Sequence, residues 1–228
     1  MWLNLARTVE RSAVNGPGER FVVWVQGCPL GCPGCWNPDT WSFARRDVRA
    51  VDDVVLSILE TKGIEGVTFT GGEPFAQARS LAAVAERVRA QGLSVFVFTG
   101  YELDELTRPE HQALLANCDV VVAGRYVESV RTGSLPWRGS TNQIVHFISA
   151  RYGPADMQEV PQAEFHIDET GALAVTGFPV DEGLLPILQI DRMAPNSCPE
   201  AASAGGIEIA TSDRAPTSTR LEVRSLER

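Results

Sequence analysis

Through the first two thirds of the chain, short apolar runs alternate with longer segments in which apolar residues recur every three or four positions. Residues 22–26, 66–70, 94–98, 119–123 and 143–148 are rich in Val, Ile and Phe and predict buried strands. Segments 52–62, 77–91 and 102–116 lie between them with apolar residues at helical spacing. The first carries Val54, Val55, Ile58 and Leu59; the second carries Leu81, Val84, Ala85 and Val88 and stops near Gly92. Strand and helix in alternation predict an α/β fold, with βα units around a mostly parallel sheet that is open or partly closed into a barrel.

The two ends of the chain break this pattern. Residues 3–14 and 20–26 flank the turn sequence NGPG at 15–18, which predicts an opening hairpin. Residues 164–175 predict a β-hairpin turning at 169–171. Beyond it the chain is poor in large apolar groups and rich in Ala, Ser, Thr, Pro and Gly, as a mobile tail would be. The pattern divides the chain into a main domain, residues 1–150, and a C-terminal extension with hairpin and tail, residues 151–228. No solenoid repeat is present.

Composition narrows the function. A 228-residue chain with 44% hydrophobic content can bury a core of ordinary size. Its net charge of −9 argues against a phosphate-backbone footprint, so nucleic acid is not an expected partner. The opening residues hold no apolar run of signal-peptide length, and no stretch of about 18 apolar residues occurs anywhere. These features predict a cytoplasmic protein with no membrane span. Five cysteines in such a chain point to metal binding or catalysis more than to a disulfide framework.

Three of them, Cys28, Cys32 and Cys35, have the spacing C-x3-C-x2-C in a loop interrupted by Pro29, Gly31, Pro33 and Gly34. These residues block a regular helix and favour tight turns, so the loop can turn three sulfurs toward one centre. A structural zinc would want four protein ligands, and the remaining candidates, Cys118, Cys198, His111, His146 and His166, are distant in sequence. An iron-sulfur cluster on three cysteines leaves one iron open to a substrate or cofactor. Spacing alone leaves zinc, a redox CxxC pair and such a cluster as alternatives. A second motif, TFTGGEP at 68–74, follows the strand that begins at Gly66, where parallel sheets bind ligands. Gly71 and Gly72 let the main chain approach a ligand closely, and Glu73 adds a carboxylate suited to an ammonium group.

Taken in order, these motifs resemble the radical S-adenosylmethionine (SAM) superfamily. Within it they are most similar to the activating enzymes of glycyl radical enzymes, in particular those of anaerobic ribonucleotide reductase. The resemblance covers residues 1–150 and rests on VNGPGER (14–20), GCPLGCPGCWNPDTW (27–41), the Gly-Gly-Glu turn, VFTGYELDEL (97–106) and WRGSTNQIVH (137–146). The superfamily often has an aromatic residue just before the third cysteine; here Gly34 stands there and Trp36 follows, as in the ribonucleotide reductase subgroup.

The resemblance implies an incomplete radical SAM (β/α) barrel in which Cys28, Cys32 and Cys35 hold a [4Fe-4S] cluster. It implies SAM bound at the open iron, its ammonium group received by Gly71, Gly72 and Glu73 and the cofactor enclosed with help from Trp36. One electron then yields methionine and a 5′-deoxyadenosyl radical, which takes hydrogen from a glycine of a partner glycyl radical enzyme. A low-potential electron donor such as flavodoxin or ferredoxin is implied as a second partner. The alternatives are a radical SAM maturase acting on a peptide or another protein, and an iron-sulfur or zinc module for binding or electron transfer.

The remaining candidates are weaker. No catalytic side chain beyond the cluster ligands is expected, and His111 and His146 read as structural or solvated. Cys118 reads as a small buried hydrophobe. Arg138, Asn142 and Gln143 are suited to gripping a partner loop or supporting the cofactor, or else form a polar loop before a strand. Residues 108–112 read as a solvated stretch.

Overall fold

The computed structural model describes residues 1–158, 160–167 and 173–177. The fold is mixed α/β, built on a seven-stranded sheet in the order β3-β1-β2-β4-β5-β6-β7. β1 (Trp2–Ser12) and β2 (Arg20–Val25) form the opening antiparallel hairpin across the NGPG turn, and β3 (Asp47–Ala50) lies antiparallel on the outer side of β1. From β2 the sheet continues in parallel through β4 (Gly66–Gly71), β5 (Ser94–Phe98) and β6 (Val120–Ala123). β7 (Ile144–Phe147) closes the far edge antiparallel to β6. The four central strands are therefore parallel, with antiparallel strands outside them on both sides.

Period-two alternation divides each central strand between two faces. Phe21, Val23, Val25, Val67, Phe69, Val95, Val97, Val121 and Ala123 share one core with α1 (Val51–Glu60), α2 (Ala78–Arg89) and α3 (Pro109–Leu115). α2 contributes Ala78, Leu81, Val84, Ala85 and Val88, all buried, and each large side chain contributes roughly 1.5–3 kcal/mol by leaving water. On the opposite face Phe96, Val120 and Val122 pack under Trp137. Trp137 meets the Phe96 ring edge-on at 5.2 Å. Its backbone φ of 57° is the one positive value at a non-glycine among the described residues.

Expected elements hold, with local differences. Pro109 cannot continue a helix begun upstream, so 102–116 is not one helix. It becomes a short 3-10 turn, Leu103–Glu105, followed by α3. Residues 108–112 open α3 with Arg108, Pro109 and Gln112 exposed, as expected of a solvated stretch, while His111 is 7% exposed with its ring against Phe75 and Tyr101. β3 was not expected. Downstream, β8 (Ala163–Ile167) pairs with β9 (Leu173–Gly177), where a hairpin was expected. The hairpin tip at 169–171 and the tail with Cys198 lie outside the described residues. Among the described residues the larger compact unit comprises Met1–Glu164 together with Thr176 and Gly177. No helix among the described residues is long and apolar enough to cross a membrane.

Candidate functional site

The loops that leave the carboxyl ends of β2, β4, β5 and β6 meet on one side of the sheet. The loop after β2 is closed at its stem: Gly27 N–H donates to Thr40 O at 2.8 Å and Cys28 N–H to Trp41 O at 3.0 Å. Gln26 Nε2 reinforces the stem by donating to Ser42 O at 2.7 Å. Within the loop Cys28, Cys32 and Cys35 are free thiols, each half-buried. Cys35 N–H donates to Cys32 O at 3.1 Å, and Asn37 N–H to the Cys35 sulfur at 3.4 Å.

The other two sulfurs are also met by backbone donors. Burial raises the Cys28 thiol above its ordinary pKa, and N–H groups of Leu30 and Gly31 pull it back. Burial likewise raises Cys32, opposed by the Tyr126 N–H and the charge of Arg125. Three thiols that all face N–H groups form a donor set suited to bearing negative charge as ligands. Among the described residues no three His, Cys, Asp or Glu side chains converge as a single metal ion requires. A tetrahedral zinc, with Zn–S about 2.3 Å, needs sulfurs roughly 3.8 Å apart. A cluster binds each thiolate through a different iron and spreads them further.

The Gly-Gly-Glu turn lies against this stem. Gly72 N–H donates to Val25 O at 2.8 Å and Glu73 N–H to Gly27 O at 2.9 Å. A Cβ on Gly72 would stand 2.4 Å from Gly27 O, and Gly71, at φ 100°, would place one 2.8 Å from Trp24 Cα. Close passage of chain against chain therefore demands both glycines.

Glu73 is 1% exposed. Its Oε1 accepts from Phe75 N–H and from Thr99 Oγ1, each at 2.9 Å, and its Oε2 accepts from Gly100 N–H at 2.9 Å. The carboxylate is thus a tie between the turns after β4 and β5. Burial pushes it up to about 7 against the pull of the three donors. Gly100 in turn leaves room for Leu30 of the cysteine loop, whose Cδ1 would be 2.3 Å from a Cβ placed there.

The turn after β6 completes the ring of loops. Tyr126 meets the Trp36 ring edge-on at 6.3 Å, and the Arg131 guanidinium stands 4.2 Å from the Trp36 ring centre. Arg125 pairs with both oxygens of Glu105, at 2.6 and 2.8 Å. Asn142 Nδ2 donates to Arg125 O at 2.9 Å and Gln143 Nε2 to Gly124 O at 3.0 Å. Their neighbour Arg138 has a buried Nε without a hydrogen-bond partner. Sequence reasoning named Trp36 and the Asn142–Gln143 pair but missed Tyr126, Arg125, Arg131 and the Thr99–Gly100 clasp.

Other candidates lie elsewhere. Cys118 is 1% exposed, with its thiol donating to Leu114 O at 3.3 Å, and burial raises its pKa. His146 sits half-buried in β7 opposite Val121. Arg7 stands over Trp24 at 4.2 Å, with Asp39 and Arg46 nearby, and burial lowers it to about 10.

Cysteine loop, glycine turn and strand ends together define the class. Residues 14–146 match the family described as a 4Fe-4S single cluster domain, and the chain belongs to it. Among its curated relatives are the anaerobic ribonucleoside-triphosphate reductase-activating proteins. That of Escherichia coli K12 is 37% identical over 144 residues, covering 59% of this chain and 92% of the relative. The Haemophilus influenzae protein is 33% identical over 154 residues, covering 63% and 97%. That of Enterobacteria phage T4 is 33% identical over 147 residues, covering 62% and 92%.

Proposed function

We propose that the chain is a radical SAM activating enzyme, which cleaves SAM reductively in order to place a radical on a glycine of a partner such as an anaerobic ribonucleotide reductase. The observation that carries the reading is the convergence of the three-cysteine loop with the Gly71–Glu73 turn at the carboxyl ends of parallel strands. An electron-transfer module has no need of the second element.

In this reading Cys28, Cys32 and Cys35 hold a [4Fe-4S] cluster with one iron left for SAM. When bound, the cluster supplies the electron that splits the cofactor into methionine and the radical that takes the glycine hydrogen. The chain's own groups position and enclose. Gly71, Gly72 and Glu73 receive the methionine ammonium group, Glu73 through the place it gives the turn. Trp36, in contact with Tyr126 and Arg131, helps enclose the cofactor's side of the loop, since a primary alkyl radical attacks almost any neighbouring C–H bond. The sheet serves as a partial barrel around that chemistry. A low-potential donor such as flavodoxin or ferredoxin supplies the electron.

One fact favours a second reading. The relatives align with 59–63% of this chain, which leaves a long segment unmatched. If residues 151–228 form a recognition extension, the target is another protein or a peptide, and the enzyme is a maturase. A single experiment separates the readings. The chain is reconstituted anaerobically with iron and sulfide, then given SAM and dithionite with and without an anaerobic ribonucleotide reductase. About four irons per chain, 5′-deoxyadenosine, and a glycyl radical signal on the reductase support the first reading. 5′-Deoxyadenosine without that signal transfers support to the maturase, and one zinc with no sulfide overturns both.

A further inference from the structure

Of the three cysteine sulfurs, Cys28 and Cys35 take their N–H groups from inside the loop, from Leu30, Gly31 and Asn37. Cys32 takes one from outside it, from Tyr126 in the turn after β6. That turn touches the cysteine loop at further points. Tyr126 and Arg131 both face Trp36, and a Cβ on Gly34 would stand 2.6 Å from the Glu128 carboxyl carbon.

The turn is itself held from behind. Gln143 Nε2 donates to Gly124 O, while Gln143 Oε1 accepts from Gly139 N–H at 2.8 Å and Ser140 N–H at 3.2 Å. Asn142 adds its bond to Arg125 O. Thr132 N–H donates to Gly139 O at 3.0 Å, Thr141 N–H to Val130 O at 2.9 Å, and Val127 N–H to Ser140 Oγ at 3.2 Å. Two amide side chains thus lock the backbone that carries the Tyr126 N–H.

We propose that Gln143 and Asn142 are positioning residues that set the reduction potential of the cluster through residues 124–126, by fixing a backbone donor that reaches the Cys32 sulfur from outside the cysteine loop. This rests on the reading of Cys32 as a cluster ligand. An N–H aimed at a ligating sulfur stabilises the more negative, reduced state and makes the potential less negative. The charge of Arg125, which lies on the same turn as Tyr126 and pairs with Glu105 of the 3-10 turn after β5, acts in the same sense. Freed from its clamp, the turn swings among conformers, and the average donor strength at Cys32 falls. A cluster that must accept an electron from a low-potential donor is then harder to reduce.

The test uses the full chain, reconstituted anaerobically, as wild type and as Gln143→Ala, Gln143→Met and Asn142→Ala. Two quantities are read: the cluster's midpoint potential by redox titration, and hydrogen exchange of the peptide spanning residues 124–128 in the cluster-free chain. The expected result is a more negative potential in all three variants, with exchange of that peptide at least tenfold faster in both Gln143 variants. Iron content stays at about four per chain. Wild-type potential together with wild-type exchange overturns the inference and leaves the cluster assignment standing. So does faster exchange with unchanged potential, which reduces the amides to structural residues. If the Gln143 variants fail to fold, Asn142→Ala, which removes a single exposed bond, is judged by the same two readings. Absence of a cluster in the wild type overturns the ligand reading itself.

Discussion

Glu73→Gln tests how the buried carboxylate holds the site. The replacement keeps shape and one carbonyl oxygen but puts an NH2 where a carboxylate oxygen stood. Whichever way the amide turns, it faces a donor, Phe75 N–H or Gly100 N–H, and leaves a buried N–H without an acceptor. That costs about 1–3 kcal/mol. Opposing it is the penalty of the buried charge, because burial raises the group from 4.5 to about 7. At 1.36 kcal/mol for each tenfold change, the gap is worth roughly 3 kcal/mol. A raised folded-state pKa means that the folded protein holds the proton more tightly, so this contribution is fully present below about 4.5 and is lost as pH rises through about 7. Relative to Glu73→Gln, the wild type is therefore more stable near pH 5 and loses about 3 kcal/mol of that advantage by pH 8.5, leaving the two near parity. Urea unfolding of the cluster-free, reduced proteins across this range measures the difference, and groups common to both cancel. A difference that stays flat, or one that grows in favour of the wild type as pH rises, would refute the argument. It would mean that three donors outweigh burial.

Two further substitutions test the supports of the same strands. Gly72→Ala pushes a Cβ into Gly27 O, so the stem of the cysteine loop must shift, and iron content after reconstitution should fall below half the wild-type value; Gly153→Ala, where a Cβ meets nothing within 4 Å, is the control, and equal iron content in the two would sink the explanation. Arg20→Met removes a fully buried guanidinium that donates to Thr68 Oγ1, Pro17 O, Ser94 Oγ, Val67 O and Ser94 O, and should cost about 3–5 kcal/mol. With a urea slope near 2.5 kcal/mol per molar, its unfolding midpoint should drop by roughly 1–2 M, and a shift within error would count against the account.

How much of this the sequence could reveal depends on the kind of signal each feature leaves. β2, β4, β5 and β6 were legible because strands buried on both faces must be continuously apolar, as Val-Val-Val-Ala at 120–123 is. β3 was not: Asp-Val-Arg-Ala is half-buried at an edge, and what makes it a strand is pairing with β1, such as Leu3 with Arg49. The break before α3 was legible in Pro109, and the helical spacing on either side of it obscured the signal. At the site, the cysteines and the Gly-Gly-Glu turn stand out because their chemistry is local. The destination of the Glu73 carboxylate does not, because its partners Thr99 and Gly100 come from another loop, 26 and 27 positions away. Tyr126 is harder still, for it acts through a backbone N–H that any residue but proline possesses.

The two buried ionisable groups, Arg20 and Glu73, act on the same strands from opposite ends. Arg20 joins β2 to Thr68 of β4 and Ser94 of β5 near their amino ends. Glu73 joins the turns after β4 and β5 at their carboxyl ends, about 20 Å away along a six-residue strand. Cores in which these groups and their side-chain partners were all replaced together by apolar side chains of similar volume could be at least as stable, since desolvating a charge is costly. They could not, however, fix how far one strand stands above the next, because apolar contact tolerates sliding and a hydrogen bond does not. The relative height of β2, β4 and β5 is what brings Gly27, Gly72 and Gly100 into register, and through them the stem that carries Cys28. Loosening Arg20 should therefore be felt at the cysteine loop although no atom of Arg20 lies there. It would appear as a less uniform cluster environment, not as a lost ligand.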